Sequence, residues 1–400
     1  MKLTLLAVLL VPIAAPLDAR KPEPKDCSVC KGEDAKMKHA GIESHGDFRF
    51  ARTDTNTVDE LLDKVNIHWI EGKHVKLGFS DISFMSWLEG SGSDEKTDKK
   101  PTRIKSLANG ALAFEAYARS HAYLERAEDL YLRMQDILQV DDSSFPQVNE
   151  YGRKLPPTDP SFPYMGQGPF LGQVGKFEVL YVSGPKEHAL YAKSPDGLRG
   201  NGTNVQMVRD GEAMSVALHL NDGGMWDDEG VTGNMLHHLT HAYLSGYKHN
   251  SYDTPVWIQE GLAHALEREY SPLFTSYCAT EDVSSQGRGT NDWNDEAKEI
   301  LRKLKKPYLE PMLQKASSHA LTFEQHVTAW SMVRFLLDEH PDEFAAILND
   351  LHGIGEGQRR VGMPTILTAQ MNAFGQHLGM DYKDFDKAWA KWAKKQVKRG

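Results

Sequence analysis

His237 and His241 stand four residues apart in the run HHLTH, so on a helix both imidazoles leave from one side and can meet a single metal ion. Nineteen residues beyond His241, Glu260 sits in the run VWIQEGLAHALE, and a carboxylate arriving from there completes a His, His, Glu set. Three protein ligands plus a water make a catalytic zinc site, whereas a fourth protein ligand closes the site and makes it structural. His264 and Glu267 follow Glu260 at four and seven residues, on the same helical face, and His264 is a candidate for that further ligand. The residue directly after the first histidine is His238. Its imidazole can exchange protons near neutral pH but carries no fixed negative charge.

Two helices must position these groups. The first is expected from near Thr232 to Gly246, a natural helix stop. The second opens with Thr254 as N-cap and Pro255 at the first helical position, where a missing N–H does no harm. On it, Ile258, Leu262, Ala265 and Leu266, with Trp257, can face a core. Upstream, Ile67 to Ile70 and His74 to Phe79 alternate as half-buried strands around a Gly72-Lys73 turn. Apolar residues recur at three and four from Ile104 to Leu138, which predicts one long or two shorter helices. Lys176 to Val182 reads as a strand, followed by a short helix near Glu187 to Ala192 and strands at Val205 to Val208 and Met214 to His219. After Tyr270 the spacing is helical over 292–304, 321–339, 341–351, 364–378 and 382–397. The last of these carries Phe385, Trp389 and Trp392 among lysines and is expected to dock its tryptophans on the domain, with a membrane-surface helix as the alternative.

The 400 residues are 40% hydrophobic and 26% charged, the profile of a soluble globular chain of two or three structural units. A formal charge of −10 argues against a nucleic-acid partner, which needs a concentrated excess of Lys and Arg. Lys2 precedes an apolar run that ends in small residues at Leu17-Asp18-Ala19, the layout of a secretory signal. That run is shorter than the ~20 apolar residues of a membrane span, and no later stretch could cross a bilayer. The expectation is an exported protein, periplasmic or extracellular. Such a compartment favours a Cys27–Cys30 disulfide with Cys278 left over; the alternative is a metal knuckle that adds His39 and His45. The expected organisation is a signal peptide over 1–19, a Cys-containing loop-rich segment over 20–66, and an α/β region with a long helix over 67–170. The metal-site domain follows over 171–273, and a helical region over 274–400. Asn201 opens a glycosylation sequon, relevant only in a host that glycosylates exported proteins.

HHLTH, an 18-residue gap, and then Trp257, Glu260, Gly261, Ala263 and Glu267 in the pattern W-x-x-E-G-x-A-x-x-x-E resemble the gluzincin branch of zinc metallopeptidases, the peptidase MA-like fold. That branch has H-E-x-x-H, a gap of similar length, and then E. The resemblance implies an α+β, zincin-like domain with a small mixed sheet and two metal-site helices, followed by a mainly α-helical C-terminal region. It implies one zinc ion on His237, His241 and Glu260, with Glu267 orienting a ligand histidine. The strand from Met214 to His219 would be the rim beside which an extended peptide lies. His326, in HVTAWSMVRFLL, is a candidate oxyanion donor on a downstream helix, against its reading as a helix-surface histidine. The family's glutamate after the first histidine takes a proton from the attacking water, and here that position is His238. Loss of a positioned general base costs about 10²- to 10⁴-fold in rate. The expected function is zinc binding with peptidase activity lost or impaired, in a peptide- or protein-binding or envelope structural module. The alternatives are an active metallopeptidase that uses His238 or a neighbour such as His264 as base, and a scaffold without metal.

Overall fold

The computed structural model describes residues 24–62, 65–80, 116–147, 164–182, 184–194, 205–209, 213–219, 228–249, 254–272, 275–276, 292–303, 307–315, 320–352 and 363–396. The expected signal peptide, the Asn201 sequon and Cys278 lie outside them.

The chain begins with α1 (Asp34–His39), the two-residue strands β1 (Arg49–Phe50) and β2 (Thr53–Asp54), and α2 (Thr55–Leu61). The hairpin predicted around Gly72 follows as β3 (Ile67–Glu71) and β4 (Val75–Ser80), antiparallel and closed by Gly72 N donating to Val75 O at 2.8 Å. Then come α3 (Ala116–Leu138), β5 (Phe177–Val182), α4 (Pro185–Lys193), β6 (Val205–Arg209) and β7 (Ala213–His219). The five longer strands form one mixed sheet in the order β3-β4-β5-β7-β6, drawn from both sides of residue 170. Its three central strands are parallel and its two edges antiparallel.

The sequence FEVLYV explains why β5 lies in the middle. Every one of its residues is buried, as a strand covered on both faces requires. Phe177, Val179 and Tyr181 point into the main core with α3, while Leu180 and Val182 point into a smaller core with Val58 of α2 and Tyr191 of α4. Glu178 sits buried on the smaller side because its carboxylate accepts from Ala51 N at 3.0 Å and from the Ser215 hydroxyl. β7, expected at the rim, is an interior strand. Its outer side is covered by β6 in the register Val205↔Ala217 to Arg209↔Ala213, so β6 is the edge.

The remaining chain is helical: α5 (Asp228–Gly246), α6 (Val256–Tyr270), α7 (Trp293–Lys303), the single turn α8 (Glu310–Leu313), α9 (Phe323–Glu339), α10 (Pro341–Leu351), α11 (Met363–Ala373) and α12 (Tyr382–Ala393). With 12 α-helices among the described residues and one small mixed sheet, the architecture agrees with an α+β reading at that level. No described helix is long and apolar enough to cross a membrane. The tryptophans of α12 are buried, and Trp389 Nε1 donates to Ser331 Oγ at 3.0 Å, so this helix docks on α9.

Candidate metal centre

α5 is buried along its whole length from Gly230 to Gly246, because it lies between β7, α3 and α6. It starts at Asp228, a turn earlier than expected, and its polar residues are therefore held inside the protein. Thr240 meets this demand locally by donating its hydroxyl to Leu236 O at 2.7 Å. α6 begins at Val256 with Pro255 rather than Thr254 at its cap, and Pro255 O accepts from Ile258 N and Gln259 N. Thr254 is engaged elsewhere, its Oγ1 lying 2.9 Å from His352 Nε2.

His237, His241 and Glu260 converge. His237 Nε2 is 3.2 Å from His241 Nε2 and 3.8 Å from Glu260 Oε2, and His241 Nε2 is 3.4 Å from Glu260 Oε1. Ligand atoms at zinc-like bond lengths around a tetrahedron stand about 3.3 Å apart, so the two imidazole nitrogens and the Glu260 carboxylate are spaced as a group that could hold one metal ion. The three residues are between 0% and 5% exposed. His238 lies beside them, also buried, with its ring centroid 5.2 Å from that of His237 and 6.4 Å from that of His241. It belongs to none of the described groups whose atoms could share an ion.

Glu267, one turn of α6 beyond His264, closes the far side. Its Oε2 lies 3.3 Å from His237 Nδ1 and 3.4 Å from His264 Nδ1, while Oε1 accepts from Ser276 N. With Glu267 facing Nδ1, the Nε2 of His237 is the ring nitrogen turned toward His241 and Glu260.

His326 is not on a surface. It is fully buried on α9, its Nδ1 3.0 Å from His264 Nε2 and 3.8 Å from Glu260 Oε2. Gly261 allows this, since a Cβ there would lie 2.6 Å from both Ala329 O and Val333 Cγ2 of α9. The sequence held a signal for this placement: His326, Trp330 and Val333 recur at i, i+4 and i+7 on the apolar stripe of α9. Glu260, His264 and His326 thus form a further buried group that shares the Glu260 carboxylate, His237, His264 and Glu267 form another, and each of the three groups could hold a metal ion.

Burial governs the protonation of these side chains. It pushes His237 and His326 down to about 3 and holds His238, His241 and His264 well below the ordinary histidine value, with neighbouring imidazoles adding to the effect at all but His237. Glu267 is raised by burial, against the opposing hydrogen bond from Ser276. Neutral imidazole is the form that binds a metal.

A separate cluster occupies the N-terminal segment. Cys27 and Cys30 are not joined as a disulfide. Each sulfur instead faces an imidazole, Cys30 Sγ at 2.9 Å from His45 Nε2 and Cys27 Sγ at 3.2 Å from His121 Nε2. His39, expected in a knuckle with these cysteines, is exposed on α1 and takes no part, and His121 of α3 stands in its place. No local sequence pattern marks His121, which the tertiary packing of α3 brings in. No family model, curated protein or solved structure matches this chain.

Proposed function

We propose that this chain is an exported, zinc-binding protein of gluzincin type whose peptidase activity is lost or greatly reduced, and which serves as a peptide- or protein-binding or envelope structural module. The observation that carries this reading is the convergence of His237 Nε2, His241 Nε2 and the Glu260 carboxylate within 3.2–3.8 Å, beside a histidine at the general-base position. Zinc bound there supplies Lewis-acid polarisation of an oxygen ligand. The chain's own part is to present three neutral or anionic donors, with the Glu267 carboxyl group standing 3.3 Å from His237 Nδ1. His238 offers no anionic oxygen to take and return a proton, and its buried ring lies 5.2 Å from that of His237 and 6.4 Å from that of His241, centroid to centroid.

A metal-free scaffold fits the physics less well. Two carboxylates and four histidines gathered without a cation would carry a desolvation cost that an ion offsets. An active hydrolase is favoured by one observation, the His264–His326 pair against Glu260, which could relay a proton where His238 does not. A peptide-library cleavage assay separates the two readings. The expected outcome is no cleavage above background by the zinc-loaded chain and measurable cleavage after His238→Glu. Cleavage at enzymatic rates by the unmodified chain, abolished by His237→Ala, overturns the proposal.

A further inference from the structure

We propose that Cys27, Cys30, His45 and His121 hold a second, structural zinc ion that fastens the N-terminal segment to α3. The four ligand atoms lie within 4.8 Å of one another, with both cysteines buried and both histidines half-buried. Around a tetrahedral zinc, a sulfur and a nitrogen stand about 3.6 Å apart, and two thiolates with two imidazoles form a closed structural set. The loop between the cysteines is built for this. Cys30 N points at Cys27 Sγ at 3.5 Å, while Cys27 O and Cys30 O accept from Lys31 N and Glu33 N at 2.9 Å, so the backbone turns both sulfurs to one side.

The segment also needs a staple. From Pro24 to Gly46 its buried described side chains are Cys27, Cys30 and Ile42, and α1 buries none. Such a stretch has almost no apolar core to hold it, the condition under which metal binding supplies folding free energy. The ligands come from three places: the loop, the residue next to the Ser44–Glu71 bridge, and the second turn of α3. One ion therefore joins the segment, the edge of the sheet and the long helix. Each thiol releases its proton to solvent on ligation, and the bound thiolates are withheld from disulfide formation.

The test uses the full chain with its metal replaced by cobalt(II). The expected spectrum contains a thiolate-to-cobalt charge-transfer band, which the His237, His241 and Glu260 set cannot produce. His237→Ala leaves the band unchanged, and His121→Ala removes it with one equivalent of metal. His121→Cys, which supplies another sulfur donor, keeps it. In the zinc form, Cys27 and Cys30 react with a thiol reagent only after a strong chelator is added, with zinc released in step. A Cys27–Cys30 disulfide in the purified protein overturns the proposal. So do freely reactive thiols in the zinc-loaded chain, or a cobalt form without the band. Because these readouts report sulfur ligation alone, the proposal can fail while the His237 centre stands, or survive its loss.

Discussion

Replacing Gly261 by alanine tests whether the close approach of α6 and α9 builds the buried site. Two effects oppose each other. Alanine in a helix interior is favoured over glycine by about 1 kcal/mol. Against this, the new Cβ would stand 2.6 Å from Ala329 O and Val333 Cγ2 and 2.9 Å from Ala329 C. Ordinary contact distances begin near 3.4 Å, so α9 must retreat by about 0.8 Å. The Ala329 carbonyl belongs to helix backbone and cannot swing aside, which places the cost in the overpacking range of about 1–3 kcal/mol. The clash offsets the propensity gain or exceeds it, and the predicted net loss is about 0–2 kcal/mol. The retreat also draws His326 away from His264, now 3.0 Å distant. The assay is urea denaturation, with Gly375→Ala as the control, because a Cβ at Gly375 meets nothing within 4 Å. Gly375→Ala is expected to be neutral or stabilising. A Gly261→Ala protein stabilised by about 1 kcal/mol, as helix propensity alone predicts, would refute the packing argument.

Glu267→Gln keeps shape and burial but replaces the carboxyl group that faces His237 Nδ1, and it is predicted to weaken zinc binding by about 10- to 100-fold in a chelator competition; unchanged affinity would remove Glu267 from the site. Trp389 is fully buried with its Nε1 bonded to Ser331, so Trp389→Ala should cost about 3–5 kcal/mol in urea denaturation, and a loss below ~1 kcal/mol would contradict the docking of α12. His352 is buried with Nδ1 2.6 Å from Leu348 O and Nε2 2.9 Å from Leu244 O, and burial lowers it from 6.5 to about 4. The unfolded chain therefore binds this proton first: the stabilisation is fully present above about pH 6.5 and is lost, by about 3 kcal/mol, as the pH falls toward 4. His352→Gln should flatten the slope of stability against pH in that window by about one proton, and an unaltered slope would count against the assignment.

The elements that carry the site were legible because local patterning and tertiary environment agree there. The burial of β5 follows from its aromatic and β-branched residues, with Glu178 the exception that needs partners from elsewhere, and the C-terminal helices α7 and α9 to α12 lie within a few residues of their predicted spans. The convergence of His237, His241 and Glu260 was readable from their spacing on two helices. What escaped the sequence depends on contacts between distant segments. β7 reads as a rim strand in isolation, but the β6 backbone occupies its outer edge. Thr254 has an N-cap side chain, yet His352, 98 residues away, engages its hydroxyl. The close spacing of Cys27 and Cys30 suggests a disulfide, and only the fold brings His121 to one sulfur and His45 to the other.

The most direct measurement is the zinc content per chain of the purified full-length protein, in unmodified form and with His237→Ala or Glu260→Ala. The account predicts stoichiometric zinc in the unmodified chain. Either substitution should remove one equivalent while the cysteine-bound equivalent stays in place. Zinc content unchanged by both substitutions, in a protein that remains folded, would contradict the claim that His237, His241 and Glu260 form a metal centre.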